Sequence, residues 1–191
     1  MGNREALLEG AKRCLLEKGY ARTTARDVAD AAGVSLAAIG YHYGSKESLL
    51  EQAFMAAMED WFEDDEADRH EEAAAGSLER FHAFFEEVLA SFPEREALLR
   101  LNVEMGLEGS HNPSLGAFMA HAVQLGREGL AETLAGLDPA KDGELAQRVG
   151  SFYSVFMTGL VAQYLIDRER FPSASDLTAG LRYVAERARK G

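Results

Sequence analysis

The sequence predicts an all-α protein of about nine helices, in which a three-helix segment over residues 1–46 precedes a larger helical body over residues 47–191. Three observations carry this. Ala, Leu and Glu, all strong helix formers, recur in long runs, while β-branched residues are sparse and four prolines serve 191 residues. Apolar side chains return at intervals of three and four rather than two. The breaks between these periodic stretches are short and rich in Gly, Pro, Ser and Asn. At this length, with 47% apolar residues, the chain can bury a sizeable core.

In "REALLEGAKRCLLEKG" the positions Leu7, Leu8, Ala11, Leu15 and Leu16 make one apolar face, and Gly19 can close this first helix with a positive φ. Thr24 and Asp27 have the capping-box spacing, and Val28, Ala29 and Ala32 form the short apolar face of a second helix that Gly33 ends. Ser35 is expected to cap a third, "LAAIGYHY". Ser45 is expected to cap a fourth, with Glu47 near its positive end. That helix runs on through Leu49, Leu50, Phe54, Met58 and Trp61 or Phe62 until "EDDEADRHEEAAAGS" dissolves into solvated charge.

Five more helices follow, at roughly residues 77–91, 94–108, 114–136, 143–168 and 174–189. Their breaks are Pro93, "EGSHNP", "GLDPAKDG" and "RERFPSAS". No internal repeat of 20 to 50 residues is present.

Composition narrows the function classes. The single cysteine, Cys14, cannot form an intrachain disulfide, and "MGNREALLEG" is not a signal stretch, so a cytoplasmic protein is expected. The most apolar run, "FYSVFMTGLVAQYLI", carries Ser, Thr and Gln, and no membrane span is expected. Phosphate-binding, dinucleotide, zinc-protease and serine-hydrolase motifs are missing, Cys14 sits in an apolar stripe, and the acids lie in solvated runs, so an enzyme is not expected. The net charge of −12 hides an asymmetry: residues 1–46 hold seven Lys or Arg against five acids, for +2, and the remainder holds −14. A positive end can dock on a polyanion while the acidic body limits indiscriminate binding.

Two short helices joined by "GVS" have the layout of a helix-turn-helix, whose second helix enters the DNA major groove. Short helical hairpins with Gly are common, so the layout alone leaves both readings open. The side chains favour docking. Thr24, at a helix start, can offer a hydroxyl and backbone N–H groups to phosphate, Tyr41 a phenol, and Lys46 a compact charge. Leu36, Ala37 and Ala38, following Ser35, can meet thymine methyl groups, and His42 a base edge or a phosphate. With few polar readers there, Arg22, Arg26 and DNA shape would share the specificity. Ile39 and Tyr43 read as core.

The segment "GYARTTARDVADAAGVSLAAIGYHYGSKESLL" resembles the DNA-binding segment of TetR-family transcriptional regulators, over about residues 5–54. The resemblance rests on the order Gly19-Tyr20, Thr23-Thr24, Val28-Ala29, Ala32-Gly33-Val34-Ser35, Tyr41-His42-Tyr43 and Ser45-Lys46-Glu47 with Leu49. It departs from the family at Gly40, where an aromatic is frequent, and at Tyr43, where Phe is usual.

This resemblance implies a homodimer paired through the two C-terminal helices, a double-stranded DNA operator as partner, and repression relieved by a small lipophilic effector held among the middle helices. The last two helices are apolar around much of their circumference, and Gly150, Gly159 and Gly180 would allow close approach. Paired heads about 34–36 Å apart would meet successive major grooves. Trp61, Phe81, Phe85, Met105, Phe118, Tyr153 and Met157 are the candidate apolar ligand-binding residues, with Phe62, Phe84, Met119 and Phe156 in the same inventory. Glu104 and His121 are the first candidate polar anchors, and His111, Asn112 and Gln163 complete that set. No cofactor is expected, and no metal, since His111 and His121 lack further ligands at helical spacing. A helical dimeric interaction protein that has lost DNA binding is the alternative.

Overall fold

The computed structural model describes residues 2–64 and 73–190, which form eight helices. These are α1 (Asn3–Lys18), α2 (Ala25–Ala32), α3 (Ala37–Tyr43), α4 (Lys46–Asp64), α5 (Leu78–Gly109), α6 (Pro113–Ala135), α7 (Pro139–Ile166) and α8 (Ala174–Ala188). The charged run after α4, expected to be solvated, lies largely outside the described residues.

The chain forms two compact units. One comprises Met1–Asp64 with Arg95–Ala120, the other Asp65–Glu94 with His121–Gly191. In the first, Leu7, Ala11 and Leu15 of α1 are buried with Val28 and Ala29 of α2, Ile39 and Tyr43 of α3, and Leu49, Leu50 and Phe54 of α4. Each fully buried Leu or Phe contributes about 1.5–3 kcal/mol. In the second, Phe81, Phe85 and Phe92 of α5, Ala131 and Leu134 of α6, and Ala146, Leu160 and Tyr164 of α7 make the core.

The count of helices falls from nine to eight because Pro93, expected as a break, lies inside α5. Proline removes one intrahelical N–H donor and crowds the preceding turn. Here Pro93 is on the solvent side, where water can satisfy the freed carbonyl, while Phe92 before it and Leu98 and Leu99 after it are buried and hold the flanking turns in helical register. α7 also begins earlier than the periodicity predicts. Asp138 accepts the Ala140 N–H at 2.8 Å as an N-cap, Pro139 opens the helix, and Gly143 (φ 41°, ψ −106°) kinks the helix at the point where the periodic pattern was expected to begin.

By length and composition α7 is apolar enough to cross a bilayer, with an 18-residue window of mean hydropathy 1.4, although its apolar run is interrupted by Ser, Thr and Gln. Few residues of that window are buried: Phe152 and Val155 are exposed on α7, as are Tyr183 and Val184 on α8.

Candidate nucleic-acid interface

The start of α2 is built by its own sequence. Thr24 Oγ1 accepts the Asp27 N–H at 3.1 Å and donates to the Asp27 carboxylate at 2.6 Å, which in turn accepts the Thr24 N–H at 2.9 Å. Lys18 Nζ closes on the other Asp27 oxygen at 2.6 Å. The Lys18 ammonium, followed by the Thr24 hydroxyl and N–H, holds the Asp27 carboxyl far below its usual range. Gly33 then takes the left-handed conformation (φ 66°, ψ 30°) that ends α2, and its N–H bonds back to the helix.

The start of α3 differs from expectation. Ser35 does not cap with its side chain: its carbonyl accepts the Ala38 N–H at 3.0 Å, Leu36 occupies the cap position, and the Ser35 side chain stays exposed. A tight turn has replaced the hydroxyl cap. Ser45 does cap α4, accepting the Ser48 N–H at 3.0 Å.

α3 divides cleanly between core and solvent. Ile39 and Tyr43 are buried, whereas Ser35, Leu36 (52% exposed), Ala37, Gly40 and Tyr41 (85% exposed) face solvent, with Ala38 and His42 half-buried. Tyr41 packs edge-on against the His42 ring at 4.8 Å. Both family departures find a place. The Tyr43 hydroxyl donates to the Arg4 carbonyl at 2.7 Å, so its extra oxygen is satisfied in a part-buried site. Beyond its chain neighbours and the helix's own backbone, no atom lies within 4 Å of where a Gly40 side chain would begin, so Gly40 leaves the solvent face of α3 open and the core untouched.

The basic residues sort in the same way. Lys12 pairs with Glu9 and Asp60, Arg13 donates to the Ala31 carbonyl at 2.6 Å near the end of α2, Lys18 holds Asp27, and the Arg4 guanidinium lies 5.5 Å from the Tyr43 ring centre. These charges fasten the head together, a role that residue type alone did not reveal. Arg22 and Arg26 remain exposed, and Arg22 is steadied by Nε donating to the Lys18 carbonyl at 2.7 Å. Lys46, half-buried, reaches the Thr23 carbonyl at 3.4 Å and Glu47 at 3.5 Å. Thr24, Arg22, Arg26 and Lys46 therefore border the head with donors, and the exposed start of α3 supplies its small apolar face. Cys14 is buried and its thiol is pushed up by desolvation, which disfavours the reactive thiolate.

The candidate effector residues divide between the two units. Trp61, Glu104, Met105 and Phe118 belong to the first. There Trp61 and Met105 are buried, Phe118 lies 6.1 Å from the Phe54 ring, and Glu104 accepts the Ala21 N–H at 3.0 Å. Phe81, Phe85, His121, Tyr153 and Met157 belong to the second. Phe81 lies 4.5 Å from Phe85 and 6.4 Å from Tyr153, and Phe156 joins them at 5.8 and 5.3 Å from Phe81 and Phe85. Met157 is half-buried and His121 exposed. Among the described residues no group of three or more His, Cys, Asp or Glu is placed to hold a metal.

Residues 7–53 match the bacterial regulatory proteins of the tetR family, and residues 77–189 match the C-terminal part of BetI-type transcriptional repressors. The chain is 47% identical over 48 residues to the HTH-type transcriptional repressor AcnR of Corynebacterium glutamicum, a match covering 25% of this chain and 26% of that relative. Its matches thus span about a quarter of the length of the first curated relatives. Its fold is similar to that of a TetR-family transcriptional regulator from a Rhodococcus species (TM-score 0.71, 18% identity, 96% of each chain). It is also similar in fold to a transcriptional regulator from Saccharomonospora viridis in complex with choline (TM-score 0.62, 22% identity, 96% of this chain and 95% of that one).

Proposed function

The chain belongs to the TetR family of bacterial regulatory proteins, and on that premise we propose that it is a homodimeric, sequence-specific repressor that leaves its operator when a small lipophilic molecule binds. The observation that carries this reading is the sorting of α3, with Ile39 and Tyr43 in the core and Leu36, Ala37 and Tyr41 displayed. A helix packed that way can enter a major groove without unfolding anything. Thr24, Tyr41 and Lys46 contact phosphates, Leu36, Ala37 and Ala38 meet base edges, and Ser35, Arg22, Arg26 and His42 complete the interface.

In this reading residues 1–46 are the DNA-binding domain and residues 47–191 the effector-binding and dimerisation domain of a cytoplasmic protein. The exposed apolar residues of α7 and α8 support pairing with a second copy, because burying them there removes from water a surface apolar enough to favour association. The aromatic cluster of Phe81, Phe85, Tyr153 and Phe156 supports an apolar effector surface, and the choline held by the structural neighbour supports a small organic molecule as the class of effector without specifying its head group.

Fluorescence anisotropy with the gene's own upstream DNA and a shuffled control, each across a salt series, tests the reading. Tight binding to the first, weakening steeply as salt rises, is expected. Absence of binding to any DNA at low salt would overturn it.

A further inference from the structure

We propose that Arg127 is the anchor for an anionic effector, an amphiphilic carboxylate whose apolar tail lies against the aromatic cluster of α5 and α7. The proposal rests on the effector-binding role argued above and specifies the chemistry of the molecule. Arg127 stands on α6 in line with Ala131 and Leu134, four and seven residues on, both of which are fully buried. Its stretch of backbone is packed against α7: a side chain at Gly150 would strike the Arg127 carbonyl. One turn along α7 from Gly150 stands Tyr153, in the cluster with Phe81 and Phe156. All these residues belong to the same compact unit.

Arg127 is half-buried, and one donor of its guanidinium is unmatched. Arg127 Nε is withdrawn from solvent and has no hydrogen-bond partner, and among the described residues Arg127 forms no ion pair. Arginine cannot relieve that situation by losing its proton, as a buried lysine would. A buried donor on a permanent cation therefore calls for an acceptor, and among the described residues no side chain supplies one to Arg127 Nε. Water could fill the Nε–H direction, but it brings no charge to set against that of the half-buried cation. A carboxylate satisfies both, with two oxygens matched to the planar donor fork. The half-buried Tyr153 and its aromatic neighbours then favour an apolar tail over a polar acid.

Isothermal titration of the full-length protein with decanoate, 1-decanol and decyltrimethylammonium tests this, since the tail is constant and only the head changes. Decanoate is expected to bind at least about tenfold tighter than decanol, and the cation weakest. Arg127→Met should bring decanoate and decanol to equal affinity while leaving the unliganded melting temperature no lower, because it removes a buried donor that has no partner. If that variant does not fold, Arg127→Gln carries the same test. Equal binding of decanoate and decanol by the wild type, tightest binding of the cation, a preference that survives both substitutions, or no binding of any of the three overturns the proposal. DNA release by decanol or by the cation, without a preference for decanoate, would remove the Arg127 anchor and leave the regulator reading standing. Failure to bind any DNA, with the decanoate preference intact, would do the reverse.

Discussion

The Glu104 carboxylate of α5 accepts the backbone N–H of Ala21 at 3.0 Å, joining residues 83 positions apart in the chain. Glu104 thereby ties α5 to the turn between α1 and α2. A side chain at Gly19 would strike that carboxylate, and Gly19 has a φ of 81°, a region unfavourable for other residues.

Gly19→Ala therefore combines backbone strain with a collision and should cost about 1–3 kcal/mol. Glu104→Ala leaves only the Ala21 N–H without its partner, at an exposed site where water can replace it, and should cost no more than about 1 kcal/mol. Urea denaturation of both variants checks the order. Equal effects would show that the carboxylate is not what constrains Gly19.

On the exposed side of the head, Lys46→Ala and Tyr41→Phe are expected to weaken operator and shuffled DNA alike, since phosphate contacts carry no sequence information. Ala37→Gln should instead change preference between operator variants, with a base substitution opposite it shifting binding by about 1–3 kcal/mol. Anisotropy against a panel of single-base operator variants separates the two behaviours. Unchanged DNA affinity in all three variants would mean that α3 is not the reading helix.

Acid stability should report on Asp27. Its carboxyl is held below the ordinary value of 3.8 by Lys18 and Thr24, so the native state favours the ionised form more than the unfolded chain does. The resulting stabilisation is present above pH 3.8 and is lost as the pH falls through the depressed native value. Asp27→Asn is expected to flatten the fall in melting temperature below pH 3.8, measured by circular dichroism. A wild-type slope in the variant would contradict the assignment.

The outer faces of α7 and α8 predict the assembly. Val155 is 69% exposed and Val184 63% exposed, and β-branched Val is a weak helix former, so helix propensity does not account for either residue. Val155→Glu and Val184→Glu should leave the helical content unchanged and weaken dimerisation by about 2 kcal/mol or more for each central contact. Sedimentation over a concentration series reads this directly. Dimers of unaltered strength would place the interface elsewhere.

Local chemistry by itself determined much of this protein. The Thr24–Asp27 box, the Ser45 cap, the left-handed Gly33 and the apolar stripes of α1 and α4 involve residues within a turn or two of one another, so sequence spacing nearly specifies geometry. The same spacing separated Ile39 and Tyr43 from the displayed start of α3. Tertiary structure decided the rest. Whether Pro93 ends a helix depended on which side of α5 faced water, and Ser35 lost its capping role to a tight backbone turn. That Glu104, a candidate polar anchor, accepts the Ala21 N–H could not be read from residues 83 positions apart. Lys12, Arg13 and Lys18 counted equally with Arg22 and Arg26 in the basic total, but the partners that fasten them inside the head come from other turns and other helices. Short-range hydrogen bonds and helical periodicity are written into neighbouring residues, whereas the partner of a charge or the solvent side of a helix is set only when distant segments meet.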